Sequence, residues 1–157
     1  MLLHSCGEGL APLNDKGSGP GFIKGTIRYV NGRNGWNDSK DSLIAVRAAA
    51  FTVYPLPDSA GIINELLAGR AYVSGLETLP IRVDSAQYII SITQSPVLIR
   101  YIAIALQYTS DLNSQRVIGV YSTAGDNKQP SPLYVPAGDT VTADITVDFN
   151  NLPPQPF

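Results

Sequence analysis

The chain has 157 residues and a formal net charge of -2, with 44% hydrophobic and only 15% charged residues. That length suits one domain with a sizeable buried core. Lys and Arg spread singly along the chain argue against a nucleic-acid partner, no apolar run is long enough for a membrane-spanning helix, and a single Cys and a single His leave no intrachain disulfide and little scope for zinc or triad chemistry.

Fourteen glycines and twelve prolines, with abundant Thr, Ser, Val, Ile and Tyr, predict strands separated by turns. Residues 1–21 carry Gly, Pro, Asn, Asp and Ser without periodicity and read as a flexible lead-in. In "FIKGTIRYV", Ile23, Ile27 and Tyr29 fall on one face and Lys24, Thr26 and Arg28 on the other, as in a half-buried strand. The polar loop "NGRNGWNDSKDS" follows, then "LIAVRAAAFTVYP", a strand apolar on both faces.

"DSAGIINELLAG" changes the period. Asp58 or Ser59 offers an N-cap, Ile62, Ile63, Leu66 and Leu67 form a helical stripe, and Gly69 suits a left-handed stop. A short crossover helix over about 59–68 is expected. Strands are then expected at "AYVS", at "LPIRVD" and at "AQYIISIT", in which Tyr88, Ile90 and Ile92 alternate with Gln87 and Ser91, then at "VLIRYIAIALQYT" and at "RVIGVYST", where Gly119 marks a bulge or a close backbone approach. Finally, "DTVTADITVDF" alternates without a fault. Val141, Ala143, Ile145, Val147 and Phe149 share one face, while Thr140, Thr142, Asp144, Thr146 and Asp148 share the other. It predicts an amphipathic antiparallel strand.

These elements predict a mostly β fold, a two-sheet antiparallel β-sandwich with one short helix. The sandwich is expected over residues 22–150, followed by a Pro-rich tail over 151–157 that ends the fold.

The order of elements resembles that of transthyretin-like, or carboxypeptidase regulatory-like, sandwich domains. "FIKGTIRY" stands as first strand, "AQYIISI" in the place of that family's Gly-x-Tyr-x-(apolar) strand, "YIAIALQY" as the next apolar strand and "LYVPAGDTVTADITVDF" as the closing segment. The inserted helix and "VDSAQY" in place of an Asp-Gly turn depart from the pattern. The resemblance implies a non-catalytic accessory, stalk or envelope module without a cofactor. A related enzymatic branch uses several histidines and a C-terminal Tyr-Arg-Gly-Ser; this chain has His4 alone and ends "LPPQPF", so the resemblance does not extend to that activity.

The opening "Leu3-His4-Ser5-Cys6" is similar to a bacterial lipobox, which implies a lipid on Cys6, a membrane as partner and a place at the cell envelope, outer membrane or cell surface. Residues 7–21 would then be a tether with a typical span of about 20 Å. The alternative is a free thiol in a disordered tail of a secreted chain.

Two further groups merit weighing. Trp36, Asn37, Asp38 and Asp41 form a candidate ligand loop, with Trp36 as an apolar platform and the carboxylates as polar contacts or calcium ligands, although the spacing does not match an EF-hand loop; the plainer alternative is a long sandwich loop whose Trp caps the core. Asp144 and Asp148 share a strand face about 13 Å apart, too far for paired-carboxylate chemistry. No catalytic residue and no metal ligand set is assigned. The functional expectation is a binding or structural module. Self-assembly by strand addition is the alternative, favoured by an unprotected edge strand, and small-ligand or carbohydrate binding is a third, favoured by a concave aromatic pocket.

Overall fold

The structure, a computed structural model, describes residues 17–36, 43–58 and 60–157. It is mostly β. In chain order the elements are β1 (Gly19–Tyr29), β2 (Ala45–Phe51), α1 (Gly61–Leu67), β3 (Ala71–Val73), β4 (Ser85–Ser95), β5 (Val97–Ile99), β6 (Tyr101–Gln107), β7 (Gln115–Val120), β8 (Leu133–Val135), β9 (Thr140–Thr142) and β10 (Ile145–Val147).

The first sheet is built around β1. On one side β1 pairs antiparallel with β4, with Ile23 opposite Ile90 and Ile27 opposite Ala86. On the other it pairs parallel with β9 and β10 end to end, Ile23 with Val141 and Ile27 with Ile145. Here the expectation of antiparallel pairing for "DTVTADITVDF" is corrected. The alternation fixes which side chains are buried, and it is the same for either strand direction. Ala143, Ile145 and Val147 are buried as the pattern requires, while Thr140, Thr142, Asp144 and Thr146 face solvent.

Between β9 and β10 the ladder breaks, and the break is filled. The Ala143 N–H still donates to the Lys24 carbonyl at 2.8 Å. The next β1 amide, Thr26 N–H, donates instead to the Asp144 carboxylate at 2.8 Å. The displaced Ala143 carbonyl turns toward Gly25 and accepts from the Tyr88 hydroxyl. A Cβ on residue 25 would sit 1.9 Å from that carbonyl oxygen, so the turn-in needs glycine. Burial pushes the Tyr88 phenol well above its ordinary pKa, with the Asp144 charge adding to the effect, which keeps it a neutral donor.

The second sheet runs β3-β2-β6-β7, antiparallel throughout. Its inner face, Val46, Ala48, Ile102, Ile104 and Leu106, meets Ile23, Ile27, Tyr88 and Ile90 of the first sheet in the main core. Its outer face carries a second core of Ala49, Phe51, Tyr101 and Val117 under Leu56 and Ile62. Two buried faces explain why β2 and β6 read as continuous apolar runs. A bulge in β7 accompanies Gly119, where a Cβ would approach the methyls of Val147 and Ile145 at 2.7 and 2.9 Å. A two-stranded sheet, β5 with β8, closes one end.

Other expectations shift. "LPIRVD" is irregular, because β3 continues past Val73 only through hydrogen bonds from Ser74 and Leu79 to β2. "VLIRYIAIALQYT" splits at exposed Arg100, since the chain there crosses from one sheet to the other. α1 starts after Ala60 without a side-chain cap; Gly69 has the left-handed φ of 71°, and Leu67 points to solvent. Glu65 is buried and accepts two hydrogen bonds from the Arg70 guanidinium, at 2.6 and 3.0 Å. That partner holds its carboxyl below the usual range. The tail over 151–157 packs back on the sandwich: Pro153 and Pro156 are buried, and the Leu56 N–H donates to the Pro156 carbonyl.

Two substitutions test the β9–β10 junction, and a third, in the second core, gives the comparison. Tyr88→Phe leaves the Ala143 carbonyl buried without its donor and lowers unfolding free energy by about 1–3 kcal/mol. Tyr101→Phe, which removes a buried hydroxyl with no hydrogen-bond partner among the described residues, leaves stability unchanged or raises it. Gly25→Ala destabilises by about 3 kcal/mol, at the upper end of overpacking. Urea denaturation of the three variants gives the ordering.

Candidate functional site

Each sheet of a sandwich has two edges whose unpaired amides and carbonyls could recruit another strand. In the second sheet both are blunted. Gln155 from the C-terminal tail clamps β7, its Oε1 accepting from the Val117 N–H at 3.0 Å and its Nε2 donating to the Val117 carbonyl at 3.2 Å. On the other side β3 is only three residues long, and the hydroxyls of Thr78 and Ser74 accept from the Val46 and Ala48 amides beyond it. In the first sheet, the β9–β10 edge is cut into two three-residue pieces with Asp144 at the gap.

The fourth edge is β4, and it is different. It runs eleven residues, SAQYIISITQS, with no charged side chain and no proline. The Tyr29 N–H donates to the Asp84 carbonyl, which fixes the phase of the antiparallel ladder. Even-numbered residues 84–92 turn their backbone groups to β1. Ser85, Gln87, Ile89, Ser91 and Thr93 turn theirs outward, and their amides have no backbone partner among the described residues. The side chains of these five residues are all exposed, Ile89 to 54%. The regular edge over 85–93 is about 27 Å long.

Why this sequence makes that strand is plain locally. Ala86, Tyr88, Ile90 and Ile92 alternate into the core, and β-branched or aromatic residues hold the extended form. At its start, Asp84 accepts from the Arg33 N–H at 2.8 Å, with the Arg33 guanidinium 3.6 Å away. That backbone bond, then the nearby guanidinium charge, keeps the Asp84 carboxyl below its ordinary range, so the charge nearest the edge is already engaged.

Of the residues singled out from sequence, Trp36 is buried. Its indole N–H donates to the Val83 carbonyl at 3.0 Å, and its ring packs against Tyr29 and Phe149 at centroid distances of 4.4 and 5.1 Å. At 8% exposure it has no open face to offer a ligand. Of the two readings of Trp36, its burial fits the one in which it caps the core, where Tyr29 and Phe149 converge at that end of the first sheet. Asn37, Asp38 and Asp41, and likewise Cys6, lie outside the described residues. Asp144 and Asp148 serve the backbone, bonding the Thr26 and Asn150 amides.

On the outer face of the second sheet, small Ala49 and Ala105 leave a groove of about 190 Å³ between α1 and the loops bearing Leu76 and Leu112. Its lining is aliphatic rather than aromatic. Arg47 stands at its margin and donates to Gln107 Oε1 and to the Leu76 carbonyl at 2.9 and 2.8 Å.

The charge-free outer positions of β4 are visible in the sequence, but nothing in the sequence marks β4 as an edge. The clamp on β7 is likewise a tertiary feature. Gln155→Ala is expected to cost about 1 kcal/mol and to speed exchange of the Val117 amide selectively, read by hydrogen exchange. Compared with protein-family models, curated proteins and solved structures, the chain matches none.

Proposed function

We propose that this chain is a non-catalytic structural and binding module of the bacterial cell envelope that works by strand addition along β4. The observation that carries this reading is the edge itself: an eleven-residue strand, regular over 85–93, without charge, proline or an outward backbone partner among the described residues, beside three blunted edges of the two main sheets. An added strand would take up the five outward amides and carbonyls of Ser85, Gln87, Ile89, Ser91 and Thr93, so main-chain bonds supply the affinity and the exposed odd-numbered side chains the selectivity. The sandwich behind the edge supplies a rigid backing, because the side chains of Ala86, Tyr88, Ile90 and Ile92 are locked in the main core.

The envelope part of the proposal draws on the lipobox-like Leu3-His4-Ser5-Cys6 and on the resemblance of the strand order to transthyretin-like accessory domains. A lipid on Cys6 would hold the domain at the membrane through the segment preceding β1.

Two outcomes are expected. With a photo-crosslinking residue at position 87, cells that make the protein yield a covalent protein adduct, whereas the same residue at position 146, on the solvent face of β10, yields none; equal labelling at both positions removes strand addition. With a signal sequence supplied ahead of residue 1, the wild-type chain partitions with membranes and Cys6→Ser releases it to the soluble fraction. Partition unchanged by Cys6→Ser removes the lipid anchor.

A further inference from the structure

We infer that the strand accepted by β4 is the β4 of a second copy of this chain, paired antiparallel about a two-fold axis through Ile89. This rests on the reading of β4 as a strand acceptor and names its occupant. In that register Ile89 opposes Ile89 of the other copy, Gln87 opposes Ser91, and Ser85 opposes Thr93. Five hydrogen-bonded pairs exchange about ten main-chain bonds.

Three features select a second copy and this register. First, the edge is self-complementary in charge. No residue of Ser85–Ser95 is charged, and the nearest charge, Asp84, would face uncharged Gln94 of the other copy while bonded to Arg33 of its own. No like charges meet, the condition that a self-pairing edge must satisfy. Second, the one large apolar side chain exposed on β4 is Ile89, at the midpoint of the regular edge with neutral polar residues on both sides. The axis sets it against its own copy and covers it, giving an apolar centre and a polar rim.

Third, neighbouring registers fail. An axis through Gln87 draws in the irregular chain before β4 and sets Asp84 against Ile90. An axis through Ser91 runs past the register break opposite Gly19 and Gly21. Only the Ile89 axis uses 85–93 and nothing else. The product is a continuous sheet in the order β10-β1-β4-β4-β1-β10, its inner face backed by the second sheet of each copy.

The test uses the full chain carrying Cys6→Ser. Hydrogen-bonded antiparallel partners have Cα atoms about 5.5 Å apart, within disulfide reach. Ile89→Cys should therefore oxidise to a covalent dimer. Ser85→Cys alone should not, and Ser85→Cys mixed with Thr93→Cys should. Sedimentation should give twice the chain mass, and Gln87→Lys with Ile89→Lys should weaken association about 100-fold with an unchanged far-UV spectrum. A monomer at all concentrations with fast exchange at the 85, 87, 89, 91 and 93 amides overturns the inference. A monomer with those amides protected also overturns it, but leaves strand addition standing with another part of the same chain on the edge. A dimer that cross-links through other positions overturns the register and the inference with it.

Discussion

The fold depends on a carbonyl that leaves its ladder. β1 has neighbours on both sides, and its C-terminal partner can stay in register with it only if the chain steps aside at Ala143. Each group released by that step finds a new partner. The Asp144 carboxylate takes the Thr26 amide, the Tyr88 hydroxyl takes the Ala143 carbonyl, and Gly25 leaves the space in which that carbonyl turns. Five residues from three distant stretches of the chain thus hold β1, β4 and the β9–β10 segment together. A buried carbonyl without a donor would cost more than most single contacts contribute, so these positions are tightly constrained.

A second constraint follows from the width of the sandwich. The second sheet is apolar on both faces, so the first sheet can cover only half of it. A third layer made of α1, Leu56 and the C-terminal tail covers the rest. That layer also brings Gln155 to β7, where one side-chain amide imitates a neighbouring strand. The first sheet has a solvated outer face and needs no such layer. Its long edge receives no backbone hydrogen bond on its outer side among the described residues, and the contrast between β7 and β4 follows from the course of the tail, which buries Pro153 and Pro156 and brings Gln155 to β7.

Much of this was legible from side-chain pattern alone, and the failures share a cause. Alternation identified β1, β4 and the β9–β10 segment with the correct buried faces, but it carries no information about strand direction, and the last pairing is parallel. "LPIRVD" has the composition of a strand, yet it lies where the chain passes between sheets and its backbone is irregular. The Leu67 side chain fits a helical stripe and faces water, while Ile62 and Leu66 of the same helix meet the second core. Trp36 sits in a polar stretch that left a ligand loop and a core cap both open; Tyr29 and Phe149 draw it inward, and Phe149 is more than a hundred residues away.

By itself the sequence determined what depends on neighbours within a few residues: a mostly β chain, the buried face of each amphipathic strand, the helix between β2 and β3, and the glycine stop after it. Only the tertiary structure decided which strands adjoin, in which direction, and which edges stay open. Pairing and edge protection are set by contacts between residues far apart in the chain, such as Gln155 with Val117 and Asp144 with Thr26. The composition of β4 fitted it to be an edge, and the packing of every other element around the core made it one.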